Sequence, residues 1–144
     1  MNELSSEETR LTGNGLASRA RASASPKVSV VLATYNRGPI LVRLLRQLAA
    51  QDFPADEMEV VVVDDGSREP AASLLEPLRS ELPYRLLVLT QANAGAAAAR
   101  QRAVMHASGE LLVILDDDMQ IRPEFISEHA RIHRDTPEAT TEAR

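Results

Sequence analysis

The chain has 144 residues, no cysteine, and 16 basic against 21 acidic side chains, for a formal net charge of -5. This length suits one globular domain with a real core. The lack of cysteine excludes disulfides, thiolate nucleophiles and zinc sites built on thiolates. The acidic balance disfavours general nucleic-acid binding, and no apolar run approaches the ~20 residues that span a bilayer. We therefore expect a soluble, cytoplasmic domain without a membrane segment.

The first 26 residues are rich in Ser, Ala, Arg, Glu and Gly, with only scattered apolar positions. Such a segment cannot bury enough surface to offset its loss of conformational entropy, so residues 1–26 are predicted to be a flexible tail. Ser5 and Glu8 have the spacing of a capping box, which is compatible with a short helix from Ser5 to Leu11. Residues 135–144 lack periodicity and are predicted to be an irregular C-terminal tail.

Between these tails, residues 27–134 alternate short apolar runs with segments of helical periodicity. The runs predict strands, and the segments after them predict helices. The predicted strands are Val28–Leu32, Glu59–Val63, Arg85–Leu89 and Leu111–Leu115. Pro77 is expected to kink or shorten the second helix. Near-continuous apolar strands are typical of a parallel sheet covered on both faces, so the predicted fold class is α/β with a doubly wound, mostly parallel sheet.

Polar side chains follow each predicted strand directly. In sheets of this kind, ligands bind outside the carboxyl ends of the strands. The polar segments are Thr34 to Arg37, Asp64 to Ser67, Asn93 to Gly95, and Asp116 to Asp118. We therefore expect four separate segments to converge on one cleft.

The acidic triplet at residues 116–118 is the most informative of these segments. Alternate side chains at a strand end point the same way, which would direct Asp116 and Asp118 toward a common point. Paired carboxylates are ligands that Mg²⁺ or Mn²⁺ binds together with substrate phosphates. A solvated acidic turn that only caps the following helix explains the triplet equally well.

Two further segments could contact a nucleotide. Thr34, Tyr35 and Arg37 supply an aromatic face and a fixed cation, which favours stacking on a base, with surface packing as the alternative. Asp65 could accept a hydrogen bond from a nucleobase imide or a ribose hydroxyl. Turn and N-cap preferences explain the segment from Asp64 to Ser67 without any ligand.

Taken in order, four segments resemble the nucleotide-sugar-binding half of a family 2 inverting glycosyltransferase, of the Rossmann-like A-type fold (GT-A). The segments are Val28–Arg37, Val63–Ser67, Asn93–Arg100 and Gly109–Asp118, and the resemblance spans about Lys27 to Arg134. It implies a nucleotide-diphosphate-sugar donor, commonly linked to uridine, that is held by one divalent cation, Mn²⁺ or Mg²⁺, at an Asp-x-Asp motif. Residues 27–134 would then be the donor-binding domain.

The same resemblance implies a role for each matching residue. Asp118 would be the metal ligand, and Asp116 would face the ribose or a metal-bound water. Tyr35 and Asp65 fall where the family contacts the base, and Thr34 lies beside them together with Arg37.

Two residues depart from the family pattern, and neither is a principal ligand. Gln101 replaces an Asn that often follows the Arg of that helix, and Met119 follows the acidic triplet where many relatives have another Asp or a small residue.

In the family, the acceptor-binding half and the general base follow the Asp-x-Asp segment. The catalytic base is therefore expected beyond the end of this chain. The acceptor, whether glycan, lipid or small molecule, is unknown.

Two other functions compete with that of a glycosyltransferase. A phosphorelay receiver domain would use Asp64 and Asp65 as its acidic pair and Asp116 as its phospho-acceptor, but no Lys follows Asp116 to act as the usual cationic partner. A non-catalytic donor-binding fragment shares every site residue with the enzyme and differs only in lacking turnover.

Overall fold

A computed structural model describes residues 8–11 and 26–136. Its strands are β1 (Glu8–Leu11), β2 (Val28–Thr34), β3 (Met58–Asp64), β4 (Arg85–Thr90) and β5 (Leu111–Asp116). Its helices are α1 (Gly38–Ala49), α2 (Ala71–Leu75), α3 (Ala96–His106) and α4 (Phe125–Asp135), with 3-10 segments at Ala55–Glu57 and Glu76–Glu81. All four predicted strands are present, each extended by one or two residues. The second helix is indeed short, because the chain tightens into a 3-10 segment that contains Pro77.

The strands form one sheet in the order β1-β4-β3-β2-β5. β2 pairs in parallel with both β3 and β5, and β3 pairs in parallel with β4. The chain therefore proceeds from β2 through β3 to β4 on one side, and then returns to place β5 on the other side of β2. Ligand crevices form where the strand order reverses in this way. The predicted fold class is confirmed, and its topology predicts a ligand crevice at the carboxyl ends of β2 and β5.

The amino-terminal segment differs from its prediction. Residues 8–11 form β1, which pairs antiparallel with β4 and sets Glu8 opposite Leu89. The capping-box helix is therefore wrong over these residues, and the predicted flexible tail contains a strand. The physical reason is non-local: β4 has an open edge whose backbone groups gain partners from β1. Residues 1–7, 12–25 and 137–144 lie outside the described part of the chain, so the predicted domain boundaries there stay predictions.

The sheet is covered on both faces, as its apolar strands predict. On one face, β2 packs Val28, Val30 and Leu32 into a core that includes the buried leucines of α1, which are Leu41, Leu44, Leu45 and Leu48. On the other face, α3 packs Ala99 and Ala103 against the sheet. No helix within residues 8–11 and 26–136 is long and apolar enough to cross a membrane.

Candidate functional site

A cleft of about 450 Å³ opens at the carboxyl ends of β2 and β5. This volume is in the range of small-molecule sites. Residues from all four predicted polar segments line it, so their expected convergence is confirmed. The lining residues are Ala33, Thr34, Tyr35, Arg37, Asp65, Asn93, Gly95, Ala96, Arg100, Asp116, Asp117 and Asp118.

The acidic triplet forms a turn at the end of β5. The strand ends at Asp116, whose carbonyl accepts a hydrogen bond from the Met119 amide at 3.2 Å. The side chains of Asp116 and Asp118 are 45% and 55% exposed, whereas that of Asp117 is 8% exposed. Strand alternation therefore stops before Asp118, and the turn brings Asp117 into the site as well. Asp116 and Asp118 both line the cleft as expected, but they are oriented by the turn.

Two arginines pair with this turn from opposite elements. Arg100 of α3 places Nη2 3.3 Å from Oδ1 of Asp116. Arg37 places Nη1 3.1 Å from Oδ1 of Asp117 and 3.4 Å from Oδ2 of Asp118. Three carboxylates thus meet two guanidinium groups, which leaves the turn with an excess of negative charge.

Asp117 connects the end of β2 to the turn through two hydrogen bonds. Its Oδ2 accepts a hydrogen bond from the Thr34 hydroxyl at 3.0 Å, and its Oδ1 accepts one from Arg37. Burial raises the pKa of the Asp117 carboxyl, while the Thr34 hydrogen bond and the Arg37 charge oppose that rise. No role for Asp117 was predicted from the sequence, because strand alternation predicts that its side chain points away from those of its two neighbours.

The loop after β2 is held by a reciprocal clasp. Asn36 adopts a left-handed backbone conformation with φ of 53°, which Asn tolerates better than most residues. Its amide donates to the Ser67 hydroxyl at 2.7 Å, and its side-chain oxygen accepts a hydrogen bond from the Arg68 amide at 2.8 Å. The clasp fixes the backbone between Tyr35 and Arg37. The Tyr35 side chain stays exposed at the cleft.

Asp65 lies in the cleft wall, but its carboxylate is already engaged. Oδ1 accepts hydrogen bonds from the Gln91 side chain at 2.9 Å and the Ala94 amide at 2.8 Å. Oδ2 accepts from the Asn93 side chain and the Gly95 amide, both at 3.0 Å. The Gln91 hydrogen bond, aided by the two amides and opposed by burial, lowers the pKa of Asp65. A base that binds Asp65 would have to compete with these donors.

Asp64 does not line the cleft. It is fully buried, and its carboxylate accepts hydrogen bonds from the Ser67 amide at 2.9 Å and the Ala71 amide at 2.7 Å. These contacts hold the turn after β3 and the start of α2. A receiver domain would need Asp64 in its acidic pocket, so this geometry argues against that alternative.

Arg100 is a second site residue for which the sequence predicted no role. It lies four residues after Ala96, so the two share a face of α3, and both line the cleft. The residues at the start of α3 are small, and Arg100 is the first long side chain after them. Its spacing of four residues from Ala96 is the sequence feature that could have indicated its position at the cleft. Its Nε is buried and has no hydrogen-bond partner within the described residues.

The residues of the cleft fit a divalent cation that is shared with an anionic ligand. Within residues 26–136, no cluster of three or more His, Cys, Asp or Glu side chains is arranged to hold a metal unaided. Mg²⁺ and similar hard cations normally take one or two carboxylates and complete their coordination with phosphate and water. Asp116 and Asp118 offer such exposed carboxylates, and the guanidinium group of Arg100, which is partly exposed at the cleft, suits an anion.

Comparison with known proteins identifies a family for most of the chain. Residues 29–141 match the model of glycosyl transferase family 2. The poly(ribitol-phosphate) beta-N-acetylglucosaminyltransferase TarS of Staphylococcus aureus is 37% identical over 110 residues, which cover 72% of this chain and 19% of TarS.

Solved structures agree with this assignment. The structure of S. aureus TarS residues 1–349 with UDP-GlcNAc superposes with a TM-score of 0.69 at 36% identity, over 76% of this chain and 31% of that one. The mannosyltransferase PcManGT from Pyrobaculum calidifontis, in complex with GDP-Man and Mn²⁺, superposes with a TM-score of 0.62 at 28% identity, over 77% and 36% of the two chains. The chain thus spans about a fifth to a third of the length of these relatives.

Proposed function

The chain belongs to glycosyl transferase family 2, and on that premise we propose that it binds the donor of a glycosyl transfer reaction, a sugar linked to uridine diphosphate. A divalent cation, Mn²⁺ or Mg²⁺, would be shared between the diphosphate and the acidic turn. The family match also removes the receiver domain as an alternative. The similar structures with UDP-GlcNAc and with GDP-Man and Mn²⁺ support the class of donor and cation.

One observation carries the proposal: an aromatic ring, two guanidinium groups and two exposed carboxylates surround a single cleft at the reversal of strand order. Tyr35 would stack on the base, with Thr34 beside it. Asp118 would bind the cation, and Asp116 would bind the cation or the ribose. Arg37 and these carboxylates give the cleft the mixed charge that a cation and a diphosphate require together.

Asp65 would recognise the base by accepting a hydrogen bond from the uracil imide, which cytosine cannot donate. The four donors that already bind its carboxylate limit this role. A base contact requires one of them, such as the flexible Gln91 side chain, to give way. Competition between UDP and CDP, measured on the wild type and on Asp65→Ala, tests this contact. A UDP preference that Asp65→Ala leaves unchanged would remove Asp65 from the base pocket.

The transfer step needs a general base that removes a proton from the acceptor hydroxyl. A bound divalent cation would supply positive charge to stabilise the leaving diphosphate. The four carboxylates that line the cleft are each paired with a guanidinium or with amide donors. We therefore propose that the base belongs to a part of the enzyme outside residues 26–136, and that these residues alone bind donor without efficient transfer.

Titration calorimetry with UDP, in the presence and absence of MnCl₂, tests the donor site. We expect Mn²⁺ to tighten UDP binding, and Asp118→Ala to abolish that gain. The matched control is Asp52→Ala, which removes an exposed aspartate outside the cleft. If Asp118→Ala retains the full effect of Mn²⁺, the assigned ligand is wrong. If UDP does not bind under any condition, the donor site itself is wrong.

A transfer assay with labelled donor and a broad panel of acceptors tests the missing base. We expect slow hydrolysis at most, because proximity and general-base catalysis both require a positioned acceptor. Efficient transfer that disappears when a carboxylate of the cleft is replaced would show that the base lies within this chain.

A further inference from the structure

Arg37 contacts two carboxylates through the same nitrogen. Its Nη1 lies 3.1 Å from Asp117 and 3.4 Å from Asp118. The two partners differ in accessibility, because the Asp117 side chain is 8% exposed and that of Asp118 is 55% exposed. Arg37 thus has one buried partner and one partner that solvent or a ligand can reach.

The two ends of this contact are anchored differently. Asp117 is fixed by the Thr34 hydroxyl, so its hydrogen bond with Arg37 has a rigid acceptor. The Arg37 backbone is fixed by the neighbouring Asn36 clasp and by its carbonyl, which accepts the first amide hydrogen bond of α1 from Leu41. The guanidinium itself sits on a flexible, half-exposed side chain. It can therefore leave Asp118 without losing Asp117.

A divalent cation bound to Asp118 would lie within a few ångströms of this guanidinium. Like charges at such a separation repel strongly wherever water is partly excluded. Binding of the cation alone must then either displace Arg37 from Asp118 or tolerate the repulsion. A diphosphate changes this balance, because its negative charge gives the displaced guanidinium a new partner.

We propose that Arg37 is an internal counter-ion of the acidic turn, which competes with the divalent cation for Asp118 until a diphosphate draws it away. This proposal rests on the donor site proposed above. It predicts that cation and diphosphate bind cooperatively, and that Arg37 lowers the affinity for the cation when no diphosphate is bound.

The test measures Mn²⁺ alone, from the electron paramagnetic resonance signal of the free ion, against the whole chain. We expect Arg37→Gln to bind Mn²⁺ about tenfold more tightly than the wild type. Arg43→Gln is the matched control, since Arg43 is an exposed arginine of α1 outside the cleft lining, and it should stay within about twofold of the wild type. If Arg37→Gln binds Mn²⁺ no more tightly than Arg43→Gln, the proposal is overturned.

Arg37→Lys provides a second test that keeps the positive charge. Lysine can still compete for Asp118, so its Mn²⁺ affinity should stay closer to the wild type than to Arg37→Gln. Equal tightening by the lysine and glutamine variants would overturn the proposal, because the lost property would then be shape and not charge.

A third measurement repeats the Mn²⁺ titration with UDP present. UDP should increase the Mn²⁺ affinity of the wild type more than that of Arg37→Gln, and an equal increase overturns the proposal. Absence of any UDP effect on the wild type would count against the donor site. The titrations with Mn²⁺ alone would still decide whether Arg37 competes for Asp118.

Discussion

Carboxylates at the two ends of the parallel strands differ in their burial and in the number of donors that they contact. At the amino end, Glu59 is 4% exposed, and its Oε2 accepts hydrogen bonds from the Ser29 hydroxyl at 2.6 Å and from the amide and hydroxyl of Ser108 at 2.6 and 3.0 Å. Its Oε1 lies 3.6 Å from Arg85. At the carboxyl end, Asp118 is mostly exposed, and among the described residues its one ion pair is with Arg37.

This difference separates a structural carboxylate from one that is available to a ligand. A buried carboxylate is stable only when donors within the protein satisfy it, and Glu59 meets that condition. An exposed carboxylate with free acceptor positions costs little in the absence of ligand and can bind a cation. Asp65 combines the two cases, because it lines the cleft but is satisfied in the manner of Glu59.

The largest effect should come from Glu59→Ala. The substitution removes the carboxylate that pairs with Arg85 and that accepts the hydrogen bond of the buried Ser29 hydroxyl, and we expect it to lower the free energy of unfolding by about 3 kcal/mol. Urea denaturation monitored by circular dichroism measures the change. Glu110→Ala removes an exposed glutamate close to the same end of the sheet and should change stability by less than about 0.5 kcal/mol. If Glu59→Ala folds but loses UDP affinity, Glu59 is not a purely structural carboxylate, and the contrast with Asp118 is wrong.

Gly109→Ala should destabilise the same end by about 2 kcal/mol, through overpacking. A Cβ at this position would lie 2.6 Å from the Ser29 hydroxyl and 2.8 Å from the Ser29 backbone nitrogen. The backbone contact cannot be relieved by a change of rotamer. Ser108→Ala removes one hydroxyl and adds no atom, so thermal unfolding should show a cost of about 1 kcal/mol for it. Equal costs for the two variants would mean that the backbone shifts freely here.

Asp65→Asn tests whether Asp65 is a structural residue within the cleft. The new amide would face the donors of Asn93 and Gly95, so we expect a loss of about 1.5 kcal/mol at pH 7. Because folding lowers the pKa of Asp65, the ionised carboxylate contributes stability above the ordinary value of 3.8, and this contribution is lost as the pH falls through the lower, folded-state pKa.

The measurement is the difference in free energy of unfolding between wild type and Asp65→Asn as a function of pH. That difference should be constant near neutral pH and should shrink below about pH 4. If Asp65→Asn is as stable as the wild type at pH 7 and loses UDP affinity, Asp65 belongs with Asp118 as a ligand-binding residue.

The smallest effect should come from Tyr35→Ala. Tyr35 is 48% exposed, so loss of its side chain should leave stability nearly unchanged, while the lost stacking weakens UDP binding by about 1 kcal/mol, or roughly fivefold. Tyr35→Phe keeps the ring and should bind UDP as the wild type does. Met105→Ala controls for removal of an exposed apolar side chain elsewhere. An unchanged UDP affinity in Tyr35→Ala would remove the stacking contact.

The sequence predicts those parts of the fold that depend on local periodicity. The leucines of α1 recur at helical spacing, and the runs that became β2 to β5 are mostly apolar, so each of these elements is evident from its own residues. β1 is different, because its four residues become a strand through pairing with β4, a partner remote in the sequence. No local pattern contains that information.

The candidate site follows the same division. Its position could be predicted because polar side chains at the carboxyl ends of parallel strands must meet, which placed Asp116 and Asp118 in the cleft. The partners of those side chains could not be predicted, because the turn after Asp116 determines where Asp117 points, and the packing of α3 determines where Arg100 reaches. The engagement of Asp65 likewise depends on a loop that follows a different strand.

The β1 strand also has a consequence for the kinetics of folding and association. Its four residues pair with a strand that lies far along the sequence, Arg85–Thr90, so bringing the two together has a large entropic cost. This pairing should therefore form late and open first. While it is open, β4 offers a row of unpaired amide and carbonyl groups, which is a template for a strand of another molecule. The rate of domain swapping or aggregation would then follow the local opening of one short strand, and not the global stability of the core.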